Sequence, residues 1–138
     1  KTLGILGCGR LGRKVATYGR AFDMRVIAYD PIAEEVSAAG AEFASFEKVL
    51  SESDIISIHI PLNDPTKNLI GEKEFHLMKQ GAFFINTSRG EIVDERALLS
   101  ALQNNHLRGA ALDVLADELP WGETKMISGN GTSTALVE

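Results

Sequence analysis

The feature that most constrains the fold is a glycine-rich turn near the start of the chain, placed between an apolar run and a helical pattern. Residues 3–12 read Leu-Gly-Ile-Leu-Gly-Cys-Gly-Arg-Leu-Gly. A second apolar run, 25–29, leads directly into Asp30. A Gly-x-Gly-x-x-Gly turn between a strand and a helix, with an acid at the end of the next strand, indicates a βαβ unit.

The three glycines of this turn would each serve a different physical purpose. Gly7 makes the tight turn, Gly9 lets the main chain approach a pyrophosphate, and Gly12 lets the helix pack closely on the strand. The free N–H groups and positive dipole end of the helix that begins near Arg10 and Leu11 would hold the phosphate charge. The turn therefore predicts a dinucleotide site.

Asp30 predicts which dinucleotide is bound. Its carboxylate would accept hydrogen bonds from the adenosine ribose hydroxyls. It would repel a 2′-phosphate, and Pro31 and Ile32 supply no arginine that could accept one. The sequence thus predicts NAD, rather than NADP, as the cofactor.

Strands and helices alternate along the chain, which predicts an α/β, Rossmann-type doubly wound parallel sheet in a single domain. The predicted strands cover about 3–7, 25–29, 42–44, 54–60, 82–86 and 109–114. Further helices are predicted over 33–39, 46–52, 72–79 and 95–104. The strands are almost continuously apolar, which indicates burial on both faces of the sheet.

Several residues predict where the helices lie and end. Ser45 and Asp94 are expected to cap the starts of two helices, Val93 to pack against Leu98 beside the second cap, and Gly40 to end the helix over 33–39. The first helix is predicted from apolar residues at helical spacing on one face, namely Leu11, Val15, Tyr18 and Phe22. Residues 1–118 are expected to form the domain, and 119–138, rich in turn residues, a loop or tail.

Composition excludes several classes of function. The net charge is −5 and no long Lys/Arg cluster occurs, so neither nucleic acid nor a membrane is an expected partner. The single cysteine excludes an internal disulfide, and no apolar stretch has membrane-spanning length, so a cytoplasmic setting is expected. The chain starts two residues before its first strand without a methionine, so we expect it to belong to a longer protein.

Candidate site residues follow the predicted strands, because ligands of open α/β sheets bind beyond the carboxyl ends of the strands. Arg89 can present a planar fork to a carboxylate or pair with a surface acid. Glu118 can orient a catalytic base or be a solvated loop acid. Asp113 ends an apolar strand and is either a site residue or a turn acid. His59 can contact the cofactor or be structural.

The remaining reactive side chains are assigned more ordinary roles. Cys8 lies inside the glycine turn and is expected to be a small filler under the pyrophosphate rather than a reactive thiolate. His76 and His106 lie on helical segments and are expected to be surface or packing residues. No set of histidines and acids has the spacing of metal ligands, so no metal site is expected.

Four blocks of the sequence together resemble the NAD-binding domain of the D-isomer-specific 2-hydroxyacid dehydrogenases, over about residues 1–118. They are Gly-Ile-Leu-Gly-Cys-Gly-Arg-Leu-Gly at 4–12, His-Ile-Pro-Leu at 59–62, Asn-Thr-Ser-Arg-Gly-Glu-Ile-Val-Asp-Glu at 86–95 and Gly-Ala-Ala-Leu-Asp-Val at 109–114. That family transfers a hydride between C4 of the nicotinamide and C2 of a 2-hydroxy or 2-oxo acid. A histidine donates or removes the hydroxyl proton.

The resemblance implies roles for residues in the matched blocks. Arg89 would bind the carboxylate and carbonyl of the 2-oxo acid, Glu118 would pair with the catalytic histidine, and Asp113 would lie near the nicotinamide amide. Pro61 and Thr87 are also expected to contact the cofactor. Because relatives pair through this domain, a homodimer is expected.

Two departures from the family pattern limit what this chain is expected to do. The family's histidine lies in a Pro-His-x-Gly block after the glutamate, and none of the three histidines here matches it. Leu119 separates Glu118 from Pro120, whereas many members have the two adjacent. The separate substrate domain is also missing. We therefore expect the chain to bind NAD and to show little or no turnover.

Two alternative functions share the same fold. One is an NAD(H)-sensing corepressor or scaffold, and the other is a dehydrogenase for another small anion such as formate or phosphite. The presence of both Arg89 and Glu118 favours the enzyme over the sensor, because a sensor needs neither.

Overall fold

A parallel six-stranded sheet forms the centre of the molecule. The computed structural model describes residues 1–32, Val36, 39–116, and the main chain of 127–129 and 132–134. The strands are β1 Thr2–Leu6, β2 Arg25–Tyr29, β3 Glu42–Phe43, β4 Ile55–Ile58, β5 Ala82–Asn86 and β6 Leu107–Leu112. Their order is β3-β2-β1-β4-β5-β6, with every neighbouring pair parallel. The predicted doubly wound α/β fold is confirmed.

In the described part of the chain, four α-helices with given bounds connect these strands, and two of them begin at the predicted caps. They are α1 Arg10–Ala21, α2 Phe46–Glu52, α3 Glu72–Leu77 and α4 Glu95–Gln103. The Ser45 hydroxyl accepts from the Lys48 N–H at 3.2 Å, and one Asp94 oxygen accepts from the N–H groups of Arg96 and Ala97 at 2.9 and 3.1 Å. Gly40 has a φ of +65°, which suits a chain reversal after a helix.

Each face of the sheet contributes to its own hydrophobic core. Alternate residues of the strands point to opposite faces, so Leu3 and Ile5 of β1 pack with α1, whereas Leu6 packs on the other side. The larger core is closed by side chains from three helices, namely Val49 and Leu50 of α2, Phe75 of α3, and Leu98 and Ala101 of α4. Helices on both faces of a parallel sheet are what the apolar strands require.

Helix α1 packs on the sheet through small residues rather than through its large apolar ones. Its buried residues are Gly12, Ala16 and Gly19. A Cβ on Gly19 would lie 2.5 Å from the Leu3 side chain, so the helix can approach this closely only without one. The predicted face points elsewhere: Leu11, Tyr18 and Phe22 are 54%, 61% and 79% exposed, and Val15 is half-buried.

Other predictions differ from the structure in their boundaries or fall partly outside it. The strand predicted over 54–60 begins at Ile55 and ends at Ile58, and beyond it the His59 N–H still donates to the Leu6 carbonyl at 2.7 Å. Most of the helix predicted over 33–39 lies outside the described residues. Within the segment predicted as loop or tail, two short strands, β7 Ile127–Gly129 and β8 Thr132–Thr134, pair antiparallel.

Candidate functional site

The sequence-predicted candidates that the structure describes lie at one edge of the sheet. The glycine turn follows β1, Asp30 follows β2, His59 follows β4, Thr87 follows β5 and Asp113 follows β6. Because all these strands are parallel, their carboxyl ends meet at the same edge. We call this edge the rim.

The glycine turn has the geometry that its sequence predicts. Gly7 has a φ of +96°, and a Cβ there would lie 2.8 Å from the main-chain carbonyl of His59. A Cβ on Gly12 would overlap the Gly7 carbonyl oxygen, so the first turn of α1 sits directly on the end of β1. By contrast, a Cβ on Gly9 would meet no atom within 4 Å. The space over Gly9 is therefore open, as an approaching pyrophosphate requires.

The start of α1 is a suitable place for an anion. Its N-cap is Gly9, which brings no side-chain hydrogen bond to the first turn, and no acid lies in that turn. The N–H groups and the positive end of the helix dipole are thus directed at the rim. Arg10 and Leu11, in the same turn, are exposed.

Asp30 lies against the glycine turn. One of its carboxylate oxygens accepts from the Cys8 N–H at 2.7 Å, and the other accepts from the Ile32 N–H at 2.9 Å. A carboxylate oxygen can accept more than one hydrogen bond, so both oxygens keep acceptor capacity for ribose hydroxyls. Asp30 therefore shapes the turn in addition to facing the rim.

Cys8 is fully buried in the α1-side core. Burial and, to a smaller extent, the nearby charge of Asp30 raise the pKa of its thiol to about 11, and the charge of Arg13 opposes them. A thiol with that pKa is almost entirely protonated near pH 7, so it is a poor nucleophile. The geometry favours the filler role over the reactive thiolate.

His59 directly follows β4 at the rim and is half-buried. Its main-chain N–H donates to the Leu6 carbonyl at 2.7 Å, and its ring makes one hydrogen bond. Its Nε2 lies 3.0 Å from the Ser57 hydroxyl, whereas its Nδ1 is buried without a hydrogen-bond partner. Burial lowers the pKa of the imidazole below 6.5, so the ring is neutral near pH 7. Pro61, two residues further on, is exposed at the same edge.

The loop after β5 presents Arg89 through a network centred on Asn86. Asn86 is 1% exposed; its Nδ2 donates to the Arg89 carbonyl at 2.9 Å and its Oδ1 accepts from the Ser88 N–H at 3.0 Å. The Ser88 hydroxyl donates to the Ile60 carbonyl at 2.6 Å, which ties this loop to the end of β4. The Arg89 side chain is exposed, with Nη1 donating to the Ser88 carbonyl at 2.7 Å.

No functional role was predicted for Asn86 or Ser88, although both lie in the block 86–95 that carries the family resemblance. The sequence does contain a sign of the role of Asn86, because its amide side chain directly follows the apolar run Phe83–Ile85. A polar side chain buried at the end of such a strand needs hydrogen-bond partners. Asn86 bonds main-chain groups of the loop that follows it, and Ser88 bonds the carbonyl of Ile60, which lies 28 positions earlier. No periodicity in the sequence reveals either arrangement.

The loop after β6 passes directly beside the Arg89 loop. The Asp113 N–H donates to the Asn86 carbonyl at 3.0 Å, and the Asp113 side chain is exposed at the rim. A Cβ on Gly90 would overlap the main chain of Leu115 and Ala116. Glu118, predicted as a catalytic acid, lies outside the described residues.

His76 and His106 lie away from the rim. They line a cavity of about 190 Å³ between α3 and α4, with their ring centroids 6.0 Å apart. Each ring has a nitrogen next to a main-chain carbonyl, Glu72 at 2.7 Å for His76 and Met78 at 3.0 Å for His106. In the described part of the chain, no group of three or more histidines, cysteines or acids could hold a metal ion.

The fold and this rim define a class of protein. A dinucleotide fits the strand order, the close contacts at Gly7 and Gly12, the open space over Gly9 and the start of α1, which has no side-chain cap. Asp30 lies at the end of β2, the position of the acid that binds the adenosine ribose in such sites. The molecule is a Rossmann-type dinucleotide-binding domain.

Comparison with known families identifies that domain further. Residues 1–132 match the family model described as "D-isomer specific 2-hydroxyacid dehydrogenase, NAD binding domain". The match covers most of the chain, so the chain belongs to this family and its cofactor is NAD. The resemblance predicted from the four sequence blocks is confirmed.

Individual relatives agree with this assignment. The chain is 52% identical over 120 residues to a glyoxylate reductase of Aeropyrum pernix, covering 86% of this chain and 36% of the relative. It is 47% identical over 122 residues to the D-3-phosphoglycerate dehydrogenase of Bacillus subtilis, covering 87% and 23%. The chain thus spans about a third or less of the curated relatives that it matches.

A solved structure gives the same result for the fold. The NAD-complexed D-isomer specific 2-hydroxyacid dehydrogenase of Lactobacillus delbrueckii ssp. bulgaricus superposes with a TM-score of 0.81 at 44% identity, over 85% of this chain and 36% of that one. Within the described residues, none of the helices is long and apolar enough to cross a membrane.

Proposed function

We propose that this chain is the cofactor domain of an enzyme that interconverts a 2-hydroxy acid and a 2-oxo acid by hydride transfer. The observation that carries the proposal is the position of Arg89. Its guanidinium is exposed on the same rim as the glycine turn, on a loop fixed by the buried side chain of Asn86. A sensor that binds only the dinucleotide has no need for an arginine presented in this way.

Arg89 supplies the substrate-recognition chemistry in this proposal. Its planar fork of N–H donors matches a carboxylate in a bidentate manner, which a lysine cannot reproduce. The nearby positive charge would also favour the negative charge that develops on the carbonyl oxygen during reduction. Bound NADH supplies the hydride.

The cofactor residues act by holding and orienting. The start of α1 and the open space over Gly9 would receive the pyrophosphate, and Asp30 would receive the adenosine ribose. Arg10, Leu11, His59, Pro61, Thr87 and Asp113 are proposed to line the rest of the dinucleotide. Glu118 is proposed to orient a catalytic histidine supplied by a longer form of the protein.

A two-stage calorimetric titration tests the proposal on this chain. NADH is titrated first, and oxamate, an unreactive analogue of a 2-oxo acid, is then titrated into the complex. We expect oxamate binding only when NADH is present. Arg89→Gln and Arg89→Lys should each weaken it at least about tenfold, which corresponds to about 1.4 kcal/mol, without changing NADH affinity. Arg108→Gln, at an exposed arginine far from the rim on β6, is the control.

The alternatives give different results in the same experiment. NADH binding with no Arg89-dependent oxamate binding contradicts the enzyme proposal and favours an NAD(H) sensor. Arg89-dependent binding of formate or phosphite in place of oxamate favours a dehydrogenase of another small anion. Absence of NADH binding contradicts the assignment of the rim itself.

We also propose that the chain forms a homodimer through α1. Leu11, Tyr18 and Phe22 present an apolar stripe that the sheet does not cover, because α1 contacts it through Gly12, Ala16 and Gly19. Exposed apolar patches of this kind mark protein interfaces. Sedimentation analysis should show a dimer that Tyr18→Glu dissociates, whereas Thr17→Glu on a neighbouring exposed position should leave it intact.

A further inference from the structure

Two histidines that lie away from the rim share one cavity. His76 is on α3, and His106 lies between the end of α4 and the start of β6. Both line the cavity of about 190 Å³ between α3 and α4, and their ring centroids are 6.0 Å apart. The proposed function uses neither ring, so this pair is open to another role.

Main-chain carbonyls determine which nitrogen of each ring carries the hydrogen. His76 Nδ1 lies 2.7 Å from the carbonyl oxygen of Glu72, and His106 Nε2 lies 3.0 Å from that of Met78. A carbonyl oxygen can only accept a hydrogen bond, so each of these nitrogens donates. In the neutral ring the other nitrogen then has a lone pair, Nε2 in His76 and Nδ1 in His106. A hydrogen bond from the second ring nitrogen to a main-chain carbonyl is how metal-binding histidines are commonly oriented.

The position of His106 is also fixed through its main chain. Its N–H donates to the Ala101 carbonyl at 2.9 Å, and its carbonyl accepts from the Gly81 N–H at 2.7 Å. Its side chain is half-buried. Because this residue is ordered in advance, a ligand that binds its ring does not have to pay the full cost of immobilising it.

The other polar residues of the cavity suit a cation. The lining includes an acid, Glu72, and among the described residues that form it there is no lysine or arginine. Asn104 Nδ2 donates to the Ser100 hydroxyl at 3.3 Å, which leaves the amide oxygen of Asn104 as an acceptor. Within the described residues no three histidines, cysteines or acids are placed to hold a metal ion together, so water has to complete the coordination of any ion bound by the two rings.

We propose that His76 and His106 together bind one divalent transition-metal ion such as Zn²⁺, which links α3 to the turn before β6. Imidazole nitrogen is a ligand that such ions prefer. Two imidazoles on one tetrahedral zinc ion, at Zn–N distances of about 2.0–2.1 Å, have ring centroids about 5–6 Å apart. The observed separation of 6.0 Å lies at the upper end of that range. This site goes beyond the proposed function and does not depend on it.

The first test is a calorimetric titration of the untagged chain with ZnCl₂, in the absence of NADH. We expect saturable binding of one ion, and His76→Gln and His106→Gln should each weaken it at least about tenfold. Glutamine keeps an N–H donor but lacks the imidazole lone pair. His59→Gln, which removes the third histidine of the sequence, is the matched control and should leave zinc affinity unchanged.

Two outcomes of this titration overturn the inference. One is the absence of saturable binding up to about 1 mM zinc. The other is an affinity that is not weakened in both cavity variants, because a site made by the pair requires both rings. Since no cofactor is present, either outcome leaves the proposed function untouched.

The second test uses the parent chain alone, so it does not depend on how well a variant folds. NMR of the ¹⁵N-labelled imidazoles should show His76 protonated at Nδ1 and His106 at Nε2 before zinc is added. Zinc should then shift the signals of His76 Nε2 and His106 Nδ1 together, at the same metal concentration, and leave His59 unchanged. A response from only one of the two rings contradicts a shared ion.

Discussion

The main-chain N–H of Cys8 donates a 2.7 Å hydrogen bond to the carboxylate of Asp30. This bond connects the glycine turn after β1 with the end of β2, so the residue that would choose the cofactor also shapes the site for its pyrophosphate. The second oxygen of Asp30 accepts from the Ile32 N–H at 2.9 Å. The negative charge and the hydrogen bond to the glycine turn can therefore be separated by substitution.

Asp30→Asn should change cofactor choice with little effect on the turn. The amide oxygen can still accept from the Cys8 N–H in the glycine turn, whereas the bond from the Ile32 N–H is lost because the amide nitrogen cannot accept it. The negative charge that repels a 2′-phosphate is gone. We expect NADPH affinity to rise about tenfold or more, equivalent to at least about 1.4 kcal/mol, measured by calorimetry. Asp30→Ala removes the acceptor as well and should weaken NADH binding. Equal NADPH affinity in the parent chain and Asp30→Asn would disprove the charge argument.

Gly9→Ala and Gly12→Ala should separate binding from folding. A Cβ at Gly9 meets no atom within 4 Å and its φ of −64° suits alanine, so the free energy of unfolding should change by no more than about 0.5 kcal/mol. NADH affinity should nevertheless fall at least about tenfold, because the Cβ fills the space for the pyrophosphate.

Gly12→Ala should instead lower the stability of the fold. A Cβ at Gly12 overlaps the Gly7 carbonyl oxygen, which is overpacking and should cost at least about 1–3 kcal/mol in denaturant unfolding. A Gly9→Ala chain as unstable as Gly12→Ala would mean that the space over Gly9 is needed for folding rather than for the cofactor.

Much of the fold follows from local signals in the sequence. The apolar strands, the glycine turn, and the caps at Ser45 and Asp94 all depend on neighbouring residues, and each is confirmed. The rim follows as well, because parallel strands place their carboxyl ends together. Arg89 and Asp113 could therefore be predicted to share an edge before any contact was known.

The parts that could not be predicted depend on contacts between distant segments. The spacing of Leu11, Tyr18 and Phe22 indicates a helical face, but it does not tell whether that face meets the sheet or a partner. The close approach permitted by Gly12 and Gly19 decides this. Similarly, nothing local in the sequence connects Glu95 with Ala116, since their hydrogen bond exists only when β5 and β6 are adjacent.

Acidification should destabilise the domain through His59. Burial lowers its pKa in the folded chain below 6.5, the value expected when unfolded. Below about pH 6.5 the unfolded chain therefore binds a proton that the folded chain resists, so the free energy of unfolding decreases as pH falls. Denaturant unfolding from about pH 8 to about pH 5.5 should show a shallower decrease in His59→Gln than in the parent chain. Identical pH profiles would contradict a buried, neutral His59.

Asn86→Ala should damage both stability and substrate recognition. The change leaves the Ser88 N–H and the Arg89 carbonyl without their buried partner, which should cost about 1–3 kcal/mol in denaturant unfolding. Because the same bonds hold the Arg89 loop, oxamate binding to the NADH complex should weaken at least about tenfold.

Ser88→Ala is the matched control for the Asn86 substitution. It removes only the hydrogen bond to the Ile60 carbonyl and leaves both Asn86 bonds in place, so it should cost about 1 kcal/mol and weaken oxamate binding less. If Asn86→Ala lowers stability but leaves oxamate affinity unchanged, the buried amide stabilises the fold without positioning Arg89. An equal loss of oxamate binding in both variants would instead assign the positioning of Arg89 to the contact between the β4 and β5 loops.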